Sequence, residues 1–327
     1  MKKTALALTV AAFASSASAE QAIYAVAMPE GSFLSRVDLT FMELAGEAGS
    51  TVEFQPFFSG GLGNFNETFD LVAQGGANMG AVVSGYHPSQ LPLFSSTNAI
   101  PAVFADGRDA VETTQRLVAD ITEVQTELET QNLVPVLYRP LPAYRIMCTE
   151  PVETLADLEG RKVRTFGAYV PRLFQALGAI PVDVSLPEFY EALERGTVDC
   201  GYFTYALFEQ FNIHEVAPYI SDLSFGAING YTIFANADWW NGLSDADREA
   251  LSTAARDAEE FGFELIAGEE DRALAAMIEA GATLVPFSNA EAFDAALPDM
   301  VTMWLEATGE DTPGASEVAS QLASARE

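Results

Sequence analysis

A chain of 327 residues, 49% hydrophobic and 19% charged, is long enough to close two hydrophobic cores and too apolar to be disordered. Its 47 acidic against 16 basic side chains give a formal charge of −31, which repels nucleic acid and anionic lipid and suits a saline habitat. Neither His87 nor His214 stands in a metal-spacing pattern such as H-E-x-x-H, and no G-x-S-x-G elbow occurs.

The chain opens like an export signal. Met1, Lys2 and Lys3 form a positive start, and Thr4 to Phe13 is an apolar run too short to span a bilayer. Ala17-Ser18-Ala19 reads as a cleavage site, so residues 1–19 are expected to be removed and the mature chain to start at Glu20. No lipobox cysteine accompanies this leader, and no other segment approaches the roughly 20 apolar residues a span needs. The expected location is the periplasm, with no membrane insertion. Without Lys2 and Lys3, Lys162 is the only lysine left.

Short β-rich runs then alternate with longer helical ones, the pattern of α/β lobes. Ala22 to Met28 reads as a strand, Phe33 to Ala48 as a helix and Thr51 to Phe58 as a second strand. Ser59-Gly60-Gly61-Leu62-Gly63 is a turn-rich loop, and a helix from about Asn66 to Gln74 is stopped by Gly75-Gly76. Asn78 to Val83 is a small apolar strand, with Ser84-Gly85-Tyr86 beyond its carboxyl end, where ligands of open α/β sheets sit. Asp109 to Gln131 reads as one amphipathic helix and Leu133 to Tyr138 as a strand. Arg139-Pro140-Leu141-Pro142 is then expected to cross between lobes. Tyr144 to Cys148 and Lys162 to Phe166 read as strands of the second lobe, Tyr169 to Leu177 and Pro187 to Arg195 as its helices. Ser244 opens the longest helical pattern, with acids in its first turn, running to about Ala280 before Gly281. At 1.5 Å per residue it measures roughly 50 Å, which makes it a strut touching both lobes. From about Gly309 the chain reads as a final helix. Cys148 and Cys200 leave two readings open, a disulfide allowed by an oxidising compartment or two buried thiols.

Lys162 and Arg164 alternate with Val163 and share one sheet face. An arginine fork holds a carboxylate through two parallel hydrogen bonds. At about 1.5–3 kcal/mol each, these supply much of the roughly −8 kcal/mol of a micromolar complex. Lys162 reads as an ordinary ion pair.

The run Thr154-Leu155-Ala156-Asp157-Leu158-Glu159-Gly160-Arg161-Lys162-Val163-Arg164-Thr165, followed by Leu177-Gly178-Ala179-Ile180-Pro181-Val182, Glu188 to Leu193 and Gly196-Thr197-Val198-Asp199-Cys200-Gly201, resembles the solute-binding proteins of TRAP transporters. The resemblance implies an α/β, two-lobed periplasmic binding protein fold with a hinge and a long helix spanning both lobes. Its expected division is 20–143 plus 230–269 for lobe I and 144–229 plus 270–327 for lobe II. It implies that Arg164 clamps the solute carboxylate. A second arginine about twenty residues earlier would be Arg145, 19 positions upstream, with Arg139 as fallback. Where the family continues to a Glu-Asn-Pro-like stretch, this chain has Tyr202-Phe203-Thr204, so Phe203 stands at the asparagine that helps hold the ligand. That departure argues against a sialic acid-like ligand and for a compact or aromatic carboxylate, unless Phe203 and Tyr205 are hinge-side packing. Ser84, Tyr86, Tyr202, Asn229 and Tyr231 complete the expected contacts. Glu188 and Asp199 are expected to start helices or brace the site, since a carboxylate beside an anion opposes binding. The expected function is capture of a small organic acid and delivery to a TRAP membrane permease, by a monomer that uses no cofactor or metal and is no enzyme. The rival readings are a binding protein feeding a sensor or another permease, and a periplasmic hydrolase.

Overall fold

Eleven strands fall into two separate sheets, one per lobe. The computed structural model describes residues 20–325, so the expected leader at 1–19 lies outside the described residues. The strands are β1 (Glu20–Ala25), β2 (Val52–Phe57), β3 (Met79–Val82), β4 (Leu133–Leu141), β5 (Arg145–Cys148), β6 (Lys162–Thr165), β7 (Ile180–Asp183), β8 (Cys200–Phe203), β9 (Tyr219–Ser221), β10 (Ile228–Asn236) and β11 (Thr283–Val285). The helices are α1 (Phe33–Glu47), α2 (Thr68–Ala73), α3 (Ser96–Ala99), α4 (Gly107–Asp120), α5 (Thr122–Thr130), α6 (Val170–Ala176), α7 (Phe189–Glu194), α8 (Tyr205–Gln210), α9 (Ala237–Gly242), α10 (Asp245–Glu279), α11 (Ala290–Ala296), α12 (Met300–Thr308) and α13 (Ala315–Ser324).

The first sheet has the order β2-β1-β3-β10-β4 and the second β11-β9-β5-β8-β6-β7. In the first, β1 runs parallel to β2 and β3, while β10 is antiparallel to β3 and β4. The expected crossing at Arg139 to Pro142 is corrected: Arg139, Pro140 and Leu141 complete β4. Proline is tolerated there because β4 is an edge strand. The connection shrinks to residues 142–144, and the return segment lies beside it, with Tyr144 N–H donating to Gly226 O at 2.8 Å and Phe225 N–H to Tyr144 O at 3.0 Å. Two chain crossings bonded side by side form the hinge.

The expected single helix over Asp109–Gln131 is also two. Ile121 is extended (φ −110°, ψ 109°) and 5% exposed, so the chain breaks to bury a β-branched side chain. Gln125 Nε2 donates to Val118 O and Ala119 O, two of the carbonyls the break releases.

The long helix α10 is a single 35-residue element, roughly 50 Å long. Ser244 caps it by accepting from Asp247 N–H at 3.0 Å, and Asp247 accepts from Thr51 N–H at 2.7 Å, which fixes the helix start to the first sheet. Further along, the Glu259 carboxylate accepts from Tyr138 N–H of β4, and Glu270 accepts from Tyr205 and Ala206 N–H at the start of α8. One helix therefore holds backbone donors of both lobes. The last helix, α13, packs on α4 of the first lobe, where the expected division put it with the second. Cys148 and Cys200 form a disulfide between directly opposed positions of β5 and β8. Of the two open readings, the structure holds the cross-link.

Candidate functional site

The cleft between the lobes is built from strand ends. From the first lobe come Val83 and Tyr86, just past β3, and Tyr231 at the start of β10; from the second come Arg164 of β6, Phe166 just after it and Phe203 at the end of β8. These surround a nearly closed chamber of about 20 Å³, room for a single water. The chamber meets an outer groove of about 790 Å³, whose walls include Arg164, Tyr86 and Phe166 as well as the rim acids Asp183 and Glu188.

Arg164 is 2% exposed. Its Nε donates to Val184 O at 3.1 Å and its Nη1 to Tyr202 O at 3.5 Å. Phe166, Phe189 and Phe203 pack around the guanidinium with ring centroids at 4.8, 5.2 and 5.5 Å, which fixes the plane of the fork. Among the described residues no carboxylate lies within ion-pair distance of it. Arg139, the other fully buried arginine, instead holds Asp38 at 2.6 Å, and Lys162 of the same strand as Arg164 holds Asp199 at 3.5 Å. Burial pulls the Arg164 guanidinium below the ordinary arginine value, opposed by the nearby Tyr86, Tyr144, Asp183 and Tyr231. The Arg164 charge draws the Tyr86 phenol down, but burial outweighs it and raises the pKa of Tyr86, as it does that of Tyr144. The chamber thus presents one uncompensated cation ringed by neutral phenols, a field that draws in a single negative charge.

Four of the expected contacts meet here: Arg164, Phe203, Tyr86 and Tyr231. Four do not line the chamber or the groove. Arg145 is corrected: Tyr144 faces the chamber, and the next residue turns away, donating from Nη1 to Asp222 O at 2.8 Å and lying over the Tyr205 ring. Arg139, the fallback, is taken by Asp38. Ser84 is buried, and its carbonyl accepts from His87 N–H in the turn after β3. Asn229 is fully buried behind the wall, with Nδ2 donating to Thr232 Oγ1 at 3.2 Å. Tyr202 stacks behind Tyr144 at 4.7 Å and offers Arg164 its carbonyl rather than its side chain. Asp199 braces β6 by accepting from Lys162 N–H, and Glu188 accepts from Ser185 Oγ at the groove rim.

Sequence reasoning missed Tyr144, Phe166 and Asn98. Period-two alternation around Arg145 carried the signal for Tyr144. Asn98 carried none, because its role is tertiary: Oδ1 accepts from Gly85 N–H at 2.8 Å, while Nδ2 donates to Asn229 O at 2.6 Å and Gly230 O at 2.5 Å. It ties the turn after β3 to the start of β10. Only glycine fits at 85, where a Cβ would come 2.4 Å from Asn98 Oδ1.

Residues 30–305 match the family model described as bacterial extracellular solute-binding protein, family 7. The 2,3-diketo-L-gulonate-binding periplasmic protein YiaO of Escherichia coli is 27% identical over 208 residues, 62% of this chain and 61% of that protein. The ectoine-binding periplasmic protein TeaA of Halomonas elongata is 27% identical over 170 residues, 50% of each chain. These matches thus span about three fifths and one half of the two relatives. Among solved structures, DctP7, a Bordetella pertussis extracytoplasmic solute receptor binding pyroglutamic acid, superposes with TM-score 0.81 at 21% identity, covering 94% of this chain and 99% of that one. A TRAP periplasmic solute-binding protein of Roseobacter denitrificans with bound β-D-glucuronate gives TM-score 0.77 at 22% identity, covering 93% and 99%. At these identities the likeness establishes the two-lobed fold.

Proposed function

Because the chain belongs to the bacterial extracellular solute-binding protein family 7, the receptors of TRAP transporters, we propose that it captures a small organic acid in the interlobe cleft and delivers it to a membrane permease. The observation that carries this reading is the buried Arg164 guanidinium with no carboxylate of the described residues in ion-pair range. A buried unpaired charge is costly, and a ligand carboxylate supplies the missing countercharge. The Arg164 fork takes the carboxylate, with the Tyr86, Tyr144 and Tyr231 hydroxyls as neutral partners and Phe203 as an apolar wall. The ligands of the relatives, a diketo-gulonate, a glucuronate, ectoine and pyroglutamic acid, are all organic acids or their anions, in keeping with such a clamp. Lobe closure excludes water and strengthens the ion pair. The site acts as a receptor; with the mature chain starting at Glu20, it works in the periplasm.

The test is calorimetric titration of wild type and Arg164→Met with a panel of organic anions and neutral sugars. A carboxylate that binds wild type should bind the variant roughly 100-fold or more weakly, the loss of two charge-assisted bonds. Equal affinities would overturn the clamp.

A further inference from the structure

The wall chemistry goes further than an organic acid. Ten of the thirteen residues around the chamber are aromatic or aliphatic; the others are Arg164, Asn98 and Gly230. Asn98 is already used, since both ends of its amide are hydrogen-bonded to backbone. Among the described residues, the Tyr231 hydroxyl has only the Met28 sulfur, 4.0 Å away, as a hydrogen-bond partner. Against the chamber wall, a polyhydroxylated body would therefore exchange water hydrogen bonds for three phenols and apolar carbon, an unfavourable trade, with Asn64, Asn66 and Ser185 farther out in the groove.

Charge narrows the class again. Arg164 is the single cation on the chamber wall. Arg139 is neutralised by Asp38, and Arg145 does not line the chamber or the groove, its Nη1 donating to Asp222 O. The outer groove adds Asp183 and Glu188, both exposed and both acidic. A second ligand carboxylate would find no countercharge and two like charges at the rim.

We infer that the ligand is a monocarboxylate with an apolar body, aromatic or branched, its carboxylate on Arg164 and its body against Phe166, Phe203 and Tyr144. This rests on the carboxylate-receptor reading above and names the ligand class. The chamber holds about one water, so the ligand body extends into the adjoining groove of about 790 Å³, which Arg164, Tyr86 and Phe166 also line, unless the aromatic walls part.

The experiment titrates the mature protein with four sodium salts: phenylacetate, 4-methylpentanoate, succinate and D-glucuronate. One of the first two should bind at least tenfold tighter than either of the last two, with binding lost in Arg164→Met. Tighter binding of succinate or glucuronate would overturn the apolar class while leaving the carboxylate receptor intact. No binding of any of the four at millimolar concentration, or equal binding by Arg164→Met, would overturn both. Phe203→Asn should cost the preferred acid at least tenfold. Because Phe203 packs among Phe189, Phe208 and Phe211, Leu186→Asn on the half-buried groove wall provides a second variant with the same expected direction. Unchanged preference in both variants would count against the wall assignment.

Discussion

Arg164 and Arg139 are both buried, yet they sit in opposite electrostatic circumstances. Arg139 has Asp38 at 2.6 Å, and Asp38 also accepts from the Tyr24 hydroxyl at 2.8 Å, so the charge is balanced within one lobe. Arg139→Met leaves that carboxylate buried without its cation, which costs about 3–5 kcal/mol. Arg164→Met removes a charge that no protein carboxylate balances. It gives up hydrogen bonds to two carbonyls and recovers the desolvation of a lone guanidinium, so its stability stays within about 1 kcal/mol of wild type. Urea unfolding of the ligand-free proteins measures both. Similar large losses in the two variants would mean that Arg164 is structural rather than held for a ligand.

Three glutamates, Glu259 buried and Glu127 and Glu270 half-buried, tie elements together, and they make the fold sensitive to pH. Glu127 accepts from Leu93 and Phe94 N–H, Glu259 from Tyr138 N–H and Glu270 from the first turn of α8. In each, burial outweighs these bonds and lifts the carboxyl from 4.5 to about 7. The folded state then binds more protons than the unfolded one between these values. The stabilisation is complete below about pH 4.5 and lost as pH rises through 7. His87, lowered by burial, works in the opposite sense as pH falls through 6.5. Asp157 and Asp247, held down by hydrogen bonds, act only below 3.8. Melting temperature should therefore fall between pH 5 and pH 8, and Glu259→Gln should flatten part of that slope. A flat profile in wild type would show that these carboxyls are ionised throughout. The same elements mark what a sequence reader can see. The long helix and the Lys162-Val163-Arg164 strand were legible, because a capping serine, a terminal glycine and a motif all lie in local order. The break at Ile121 was not, since it answers to burial against distant residues. Arg145 stands at the expected spacing, but its guanidinium is held by Asp222 O and the Tyr205 ring, a tertiary arrangement with no local signal, while Tyr144 lines the chamber. Half of the expected contacts line the cleft, and Asn98, which braces it, works through partners more than a hundred residues away.

At the scale of the molecule, the two lobes meet across the cleft in ways that bear on how a ligand is taken up. The hinge is two bonded crossings plus α10, and the front of the cleft is shut by contacts between lobes. Tyr86 meets Phe166 edge-on at 6.2 Å, and Ser32 Oγ, at the start of α1, donates to Gln210 Oε1, at the end of α8, at 3.0 Å. These contacts exist only when the lobes are together, so they bias the open–closed balance without touching ligand. A ligand shifts that balance by no more than its preference for the closed form. Gln210→Ala removes one neutral hydrogen bond from the closed state, about 1 kcal/mol. If the free protein samples the open form, as access to a one-water chamber requires, the ligand must then do that much more work to close the lobes. Affinity should fall about fivefold, mostly through faster release, with the melting temperature of the free protein nearly unchanged because the buried hydrophobic cluster does not include Gln210. Stopped-flow release and calorimetry, run at high salt to screen the formal charge of −31, separate the two effects. An unchanged affinity would mean that Ser32 and Gln210 stay together in the open form, and the moving boundary would then lie elsewhere along the cleft.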